Sequence, residues 1–127
     1  MKPDDHLDYY EIDAEVIRIA RDPRRFTFLR DCKPDAKIVL GDARLTIADA
    51  TDARYNVIVV DAFSSDSIPV HLLTREALRI YLSRLKPGGI IVLDNADSFP
   101  EPISLEGYFR KPTTNGVWRT DIYKRVT

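Results

Sequence analysis

Two short, mostly apolar runs, each ending in an aspartate, constrain the fold of this chain more than any other feature. The first is Tyr55–Asp61, with the sequence YNVIVVD, and the second is Ile90–Asp94, with the sequence IIVLD. Continuous apolar and β-branched residues are typical of strands that are buried on both faces of a parallel sheet. Because parallel strands need crossover connections, usually helices, the two runs predict an α/β protein.

The neighbouring segments supply the other elements of such a sheet. Their patterns predict a strand at 7–12, a helix at 14–20 capped by Asp13, a strand at 37–40, a short helix at 43–50 and a helix at 74–85 that ends at Lys86-Pro87-Gly88-Gly89. This βαβαβαβ order favours a mostly parallel sheet with helices on both faces. A polar, proline-rich stretch at 97–112 precedes an alternating segment at 117–126, which predicts a late antiparallel strand.

Composition limits the class of partner and the location. A length of 127 residues fits one domain, which we expect to span 1–127. Nineteen basic and twenty acidic residues give a formal charge of -1, and no block of like charge is long enough to follow a nucleic acid. No run approaches the roughly 18 apolar residues of a membrane span. With Cys32 as the single cysteine, we expect a soluble, cytoplasmic protein that binds neither nucleic acid nor membrane.

Two other site classes have no support in the sequence. His6 and His71 lack partners at metal-ligand spacing, so no zinc site is predicted. The Gly-x-Ser-x-Gly pattern of a serine hydrolase is also missing from the sequence. The candidate chemistry therefore lies with the acidic residues.

Acidic residues follow each predicted strand, where ligands bind in open parallel sheets because the loops converge there. Glu11 is placed to accept hydrogen bonds from both hydroxyls of a ribose. In Gly41-Asp42-Ala43, the glycine permits a tight turn, and the Asp42 carboxylate beside it is a candidate for contacting an adenine amino group. An alternative stays open, in which Asp13 and Asp42 only cap helices and Glu11 is an exposed acid.

The segment from Asp61 to Asp66 is the most informative of these acidic loops. An acid at the end of an apolar strand is expected to be poorly solvated, which suits a base in proton transfer. Asp66 is a candidate for binding a cationic amine, with Ser64 and Ser65 as hydrogen-bond donors. The alternative is a serine-rich turn in which Asp66 is a local cap.

Four motifs together resemble the spermidine synthase-like family, in order over residues 9–93. They are Tyr10-Glu11-Ile12-Asp13, Gly41-Asp42-Ala43, Tyr55–Asp61 with its loop to Pro69, and Leu85-Lys86-Pro87-Gly88-Gly89. Beyond Leu93, the segment Asp94–Asp97 and the strand containing Trp118 are more similar to class I methyltransferases that use S-adenosylmethionine.

The resemblance implies a Rossmann-like fold and a cofactor that is S-adenosylmethionine or its decarboxylated form. The implied activity is transfer of an aminopropyl or methyl group to a small-molecule acceptor. Glu11 would hold the ribose and Asp42 would approach the adenine, while Asp61 would be a base or amine orienter. By the same resemblance, the cofactor-binding residues are Glu11, Asp13, Asp42, Ala43 and Asp61, and the catalytic residues are Asp61 and Asp66.

Two features depart from the family pattern. Asp61 and Asp66 are further apart than the family's paired acids. Only eight residues precede Tyr9, and they include no glycine, so the family's first strand and its glycine-rich loop are expected to be missing. The absent strand would lie between the strands at 7–12 and 55–61. Since unpaired edges attract other chains, we expect either a homo-oligomer, in which strands are open to swapping, or a rearranged sheet. The alternative to catalysis is an inactive remnant that binds a ligand or a protein.

Overall fold

A computed structural model describes the chain at residues 2, 4–51, 54–61, 70–93, 108–114 and 119–125. Its elements confirm the mixed α/β class. In chain order they are β1 (Asp8–Glu11), α1 (Ala14–Arg21), α2 (Phe28–Cys32), β2 (Lys37–Leu40), α3 (Ala43–Ala48), β3 (Tyr55–Val60), a 3-10 turn (Val70–Leu73), α4 (Arg75–Arg84), β4 (Leu85–Leu93), β5 (Tyr108–Thr114) and β6 (Arg119–Arg125). None of the helices in these ranges is long and apolar enough to cross a membrane.

The chain divides into two compact units, Met1–Ile47 and Ala48–Thr127. In the first unit, β1 and β2 pair in parallel with Glu11 opposite Leu40. Helix α1 begins as predicted, because an Asp13 carboxylate oxygen accepts a hydrogen bond from the Glu15 amide at 2.8 Å. Arg18 and Arg21 lie in its last turn, where cations interact favourably with the helix dipole.

In the second unit, the described strands form a sheet in the order β3-β4-β6-β5. Strand β3 is parallel to β4, and β6 is antiparallel to both β4 and β5. The predicted late antiparallel strand is therefore confirmed as β6. Strand β5 was not predicted, because its sequence YFRKPTT is polar and contains proline. Its pairing with β6 from Tyr108↔Arg125 to Thr114↔Arg119 determines its conformation instead.

The core of the second unit forms where α4 packs on β4. Its fully buried side chains include Leu78, Leu85, Ile91 and Leu93. Helix α4 starts at a Thr74 cap, whose Oγ1 accepts a hydrogen bond from the Ala77 amide at 3.1 Å. The predicted helix at 74–85 is thus confirmed to within one residue at each end.

The Lys86-Pro87-Gly88-Gly89 segment lies inside β4 and not in a turn before it. Tyr55 is opposite Leu85 while Val57 is opposite Ile90, so these four residues bulge out beside one residue of β3. Gly88 has a φ of 79°, and a Cβ on Gly89 would come within 2.8 Å of the Lys86 carbonyl oxygen. The glycine pair therefore permits the bulge, and the strand begins earlier than the apolar pattern indicates.

Candidate functional site

The carboxyl ends of β1 and β2 bring two of the predicted motifs together. Because these strands are parallel and Glu11 is opposite Leu40, the chain leaves both strands at the same edge. The Gly41 amide donates a hydrogen bond to the Glu11 carbonyl oxygen at 2.9 Å. Glu11 and the Gly41-Asp42 turn are therefore held side by side by the backbone.

The Glu11 side chain is half-buried and oriented by one local hydrogen bond. Its Oε1 accepts from the Asp13 amide at 2.9 Å. An ionised carboxylate has about four acceptor positions on its two oxygens. The bond to Asp13 thus fixes the carboxylate at the edge and leaves acceptor capacity for a pair of ligand hydroxyls.

Asp13 has a structural role at this edge. Its side chain is exposed and caps α1, while its main-chain amide orients Glu11. Asp13 can therefore affect a bound ligand indirectly, by orienting the Glu11 carboxylate. The structure thus shows the helix-capping role of Asp13, which was one of the two alternatives from the sequence.

Asp42 initiates α3 in a similar way. Its Oδ1 accepts from the Arg44 amide at 2.9 Å, and its carbonyl oxygen accepts from the Thr46 amide at 2.9 Å and from the Thr46 hydroxyl at 2.8 Å. Ala43, the first residue of α3, is half-buried. These contacts fix the position of Asp42 relative to the end of β2.

Gly41 is required by the shape of this turn. Its φ of 140° lies in a region that side chains rarely adopt, and an added Cβ would approach the Thr46 Cγ2 to 2.8 Å. We expect Gly41→Ala to lower the free energy of unfolding by about 1–3 kcal/mol from backbone strain, with a further cost from the contact. Urea denaturation followed by circular dichroism measures this loss.

A second substitution separates the two causes. Thr46→Ser removes Cγ2 but keeps the hydroxyl that donates to Asp42. The Gly41→Ala/Thr46→Ser variant should therefore regain the part of the loss that is due to the contact, leaving the backbone strain. Equal stability of wild type and Gly41→Ala would contradict the assignment.

Of the acids predicted for the second unit, the structure describes Asp61. Asp61 directly follows β3 and is exposed, so the expectation of a poorly solvated carboxylate was wrong. The reason is that β3 itself is open to solvent near its end, with Val59 61% exposed. Asp66, Ser64, Ser65 and Asp94 lie outside the described residues.

One buried charge in the first unit was missed by the sequence analysis. Lys33 is 5% exposed, and its ammonium lies 3.0 Å from an Asp35 carboxylate oxygen. The hydrogen bond from Lys33 holds the pKa of Asp35 below its ordinary value. Lys33 also lines a cavity of about 360 Å³ with Arg21, Arg30 and Phe26. No sequence pattern distinguishes this lysine from those on the surface.

Metal binding has no structural basis in the described part of the chain. There, no group of three or more His, Cys, Asp or Glu residues is arranged to hold a metal ion. The acids at the ends of β1 and β2 are instead engaged in local hydrogen bonds to backbone amides.

Comparisons with known proteins place this geometry in context. No family model matches the chain. Over 92 residues it is 37% identical to a polyamine aminopropyltransferase of Vibrio vulnificus strain CMCP6, a stretch that covers 71% of this chain and 29% of that protein. The chain thus spans less than a third of the length of this relative.

Solved structures share the fold at low sequence identity. A spermidine synthase in complex with the transition-state analogue AdoDATO matches with a TM-score of 0.68 and 17% identity, covering 94% of this chain and 46% of that one. A putative methylase from Haemophilus influenzae matches with a TM-score of 0.63 and 16% identity, covering 96% and 73%. These similarities confirm the Rossmann-like fold. They give no support to the alternative of an inactive remnant.

Proposed function

We propose that this chain binds an S-adenosyl cofactor for group transfer, since it is similar in sequence to a polyamine aminopropyltransferase and shares its fold with a spermidine synthase and a putative methylase. The observation that carries the proposal is that the backbone holds Glu11 beside the Gly41-Asp42 turn, through the hydrogen bond from the Gly41 amide to the Glu11 carbonyl oxygen, while the Asp13 amide orients the half-buried Glu11 carboxylate. Aminopropyl transfer is the first candidate, because the sequence relative is a polyamine aminopropyltransferase. Methyl transfer is the second, because the fold is shared with a putative methylase.

In this proposal, the residues at the ends of β1 and β2 bind the nucleoside part of the cofactor. Glu11 accepts hydrogen bonds from the two ribose hydroxyls, since charge-assisted bonds of this kind are roughly twice as strong as neutral ones. Asp13 positions Glu11 through its amide. Asp42 approaches the adenine amino group, and the small side chain of Ala43 leaves room beside it. The bound cofactor supplies an electrophilic carbon next to a sulfonium.

The acids that follow β3 act on the acceptor substrate. Asp61 accepts the proton that an attacking amine nitrogen loses as its new bond to carbon forms and the carbon–sulfur bond breaks. Asp66 binds a cationic part of the same small amine. Being exposed, Asp61 is accessible to an acceptor that arrives from solvent. For methyl transfer, these residues orient the acceptor in the same way.

A ligand titration tests the cofactor proposal. We expect S-adenosylmethionine, its decarboxylated form or methylthioadenosine to stabilise the protein in a thermal-shift or calorimetric titration. A ligand at 100 times its dissociation constant adds about 2.7 kcal/mol of stability. Adenine alone serves as the control, because it lacks the ribose that Glu11 binds. Absence of stabilisation by all three nucleosides would refute the proposal.

A further inference from the structure

The cavity of about 360 Å³ that Lys33 lines lies within the first unit. Its described walls come from the last turn of α1, the turn that follows, α2 and the start of β2, all within residues 20–38. Because this stretch is continuous and belongs to one compact unit, contacts inside that unit determine these walls. The volume lies at the lower end of the range of about 300–1,000 Å³ that is usual for small-molecule sites.

Two backbone turns hold the walls of the cavity in place. After α1, the Asp22 carbonyl oxygen accepts hydrogen bonds from the Arg25 and Phe26 amides, both at 2.9 Å, which returns the chain toward the end of the helix. After α2, the Ala36 amide donates to the Lys33 carbonyl oxygen at 3.1 Å, and the chain turns into β2. The segments around the cavity are therefore fixed by main-chain hydrogen bonds.

The charges that line the cavity are positive. Of its described lining residues, Arg21, Arg30 and Lys33 are cationic and none is acidic. Acids outside the lining offset two of these charges. Asp35 lies 3.0 Å from the Lys33 ammonium, and Asp31 accepts a hydrogen bond from Arg30 at 3.0 Å. Arg21 makes no ion pair within the described part of the chain. The excess of one positive charge favours a ligand with a single negative charge.

The cavity also combines a buried ammonium group with apolar surface. The Lys33 side chain is 6% exposed, so its charge lies in surroundings of low polarity, where attraction to an anion is stronger than in water. Phe26 is 48% exposed, and Leu29 and Ile38 are half-buried. These three side chains offer an apolar surface, and the Phe26 ring favours contact with another aromatic ring.

We propose that this cavity is a second small-molecule site, which binds an aromatic monocarboxylate. The ligand carboxylate accepts paired hydrogen bonds from the planar guanidinium of Arg21 and lies close to the Lys33 ammonium. The aromatic body of the ligand packs on Phe26. This site is separate from the proposed cofactor site, because the eight residues of α1, about 12 Å of helix, lie between Asp13 and the end that carries Arg21.

A titration of the whole chain with phenylacetate, followed by amide chemical shifts in NMR, tests this site. We expect saturable shifts at residues 20–38 and a dissociation constant below about 1 mM, since KM values for small substrates extend to about that concentration. Phenylacetamide is the matched control ligand, because it keeps the shape and lacks the charge. It should bind at least about tenfold more weakly. Acetate, which lacks the ring, should also bind more weakly than phenylacetate.

Two arginine variants locate the carboxylate. Arg21→Gln should increase the dissociation constant for phenylacetate by about tenfold or more, because hydrogen bonds to a charged group are lost. Arg18→Gln is the control, since Arg18 lies in the same last turn of α1 but pairs with Glu15 and is not among the described lining residues. Its affinity should equal that of wild type.

Four results would each overturn the proposal. They are a lack of saturable binding, equal affinity for phenylacetate and phenylacetamide, wild-type affinity in Arg21→Gln, and shifts centred on Glu11 and Asp42 in place of residues 20–38. None of these measurements involves the S-adenosyl cofactor. Failure of this second site would therefore leave the cofactor proposal untouched.

Discussion

Glu11→Ala is expected to weaken binding of the S-adenosyl ligand by about 10- to 100-fold, whichever of the three nucleosides binds best. Hydrogen bonds to a charged group contribute about 1.5–3 kcal/mol, and 1.4 kcal/mol corresponds to tenfold in affinity. The loss should be large because the carboxylate is held at the ends of β1 and β2 by the Asp13 amide before any ligand arrives. Isothermal titration calorimetry of the variant and wild type measures the ratio.

Two further variants make this result specific. Glu15→Ala removes another acid of the same unit, one that pairs with the exposed Arg18 at 2.7 Å, and should leave the affinity unchanged. Glu11→Gln keeps an oxygen that can accept from the Asp13 amide but loses the charge, so its affinity should lie between those of wild type and Glu11→Ala. Equal losses in Glu11→Ala and Glu15→Ala would show a general electrostatic effect and remove the ribose assignment.

Leu78→Ala is expected to lower the free energy of unfolding by about 2–5 kcal/mol, the range for leucine truncation in a packed core. The side chain is 0% exposed on the face of α4 that packs on β4. Its removal takes away apolar contacts and leaves a cavity that the helix cannot fill without moving. Domains of this size have a total stability of about 5–15 kcal/mol, so this loss is a large fraction of the total. Urea denaturation monitored by circular dichroism measures the change.

Leu45→Ala is the matched control for this prediction. Leu45 is a helical leucine in α3 that is 59% exposed, so its truncation should change stability by no more than about 0.5 kcal/mol. A similar loss in both variants would mean that burial on α4 does not set the stability. A difference of several kcal/mol would locate the stabilising core at the contact between α4 and β4.

Helix caps and helix bounds depend on interactions between residues that are close in sequence, and for that reason they were predictable. Asp13 caps α1 because its side chain reaches an amide only two residues away. The bounds of α4 likewise depend on Thr74 and on the spacing of apolar residues. The placement of Glu11 beside the Gly41-Asp42 turn was accessible from the sequence because parallel strands end at one edge of a sheet.

The sequence by itself thus determined the α/β class, most element positions and the acids at the strand ends. Only the tertiary structure decided that polar residues at 108–114 form β5, because β6 supplies the hydrogen-bond partners that the local sequence does not indicate. It also decided the solvation of Asp61 and the exposure of Val57 and Val59. The burial of a strand depends on which other segments cover it in the folded protein. An apolar sequence pattern indicates only that the strand is suited to being covered.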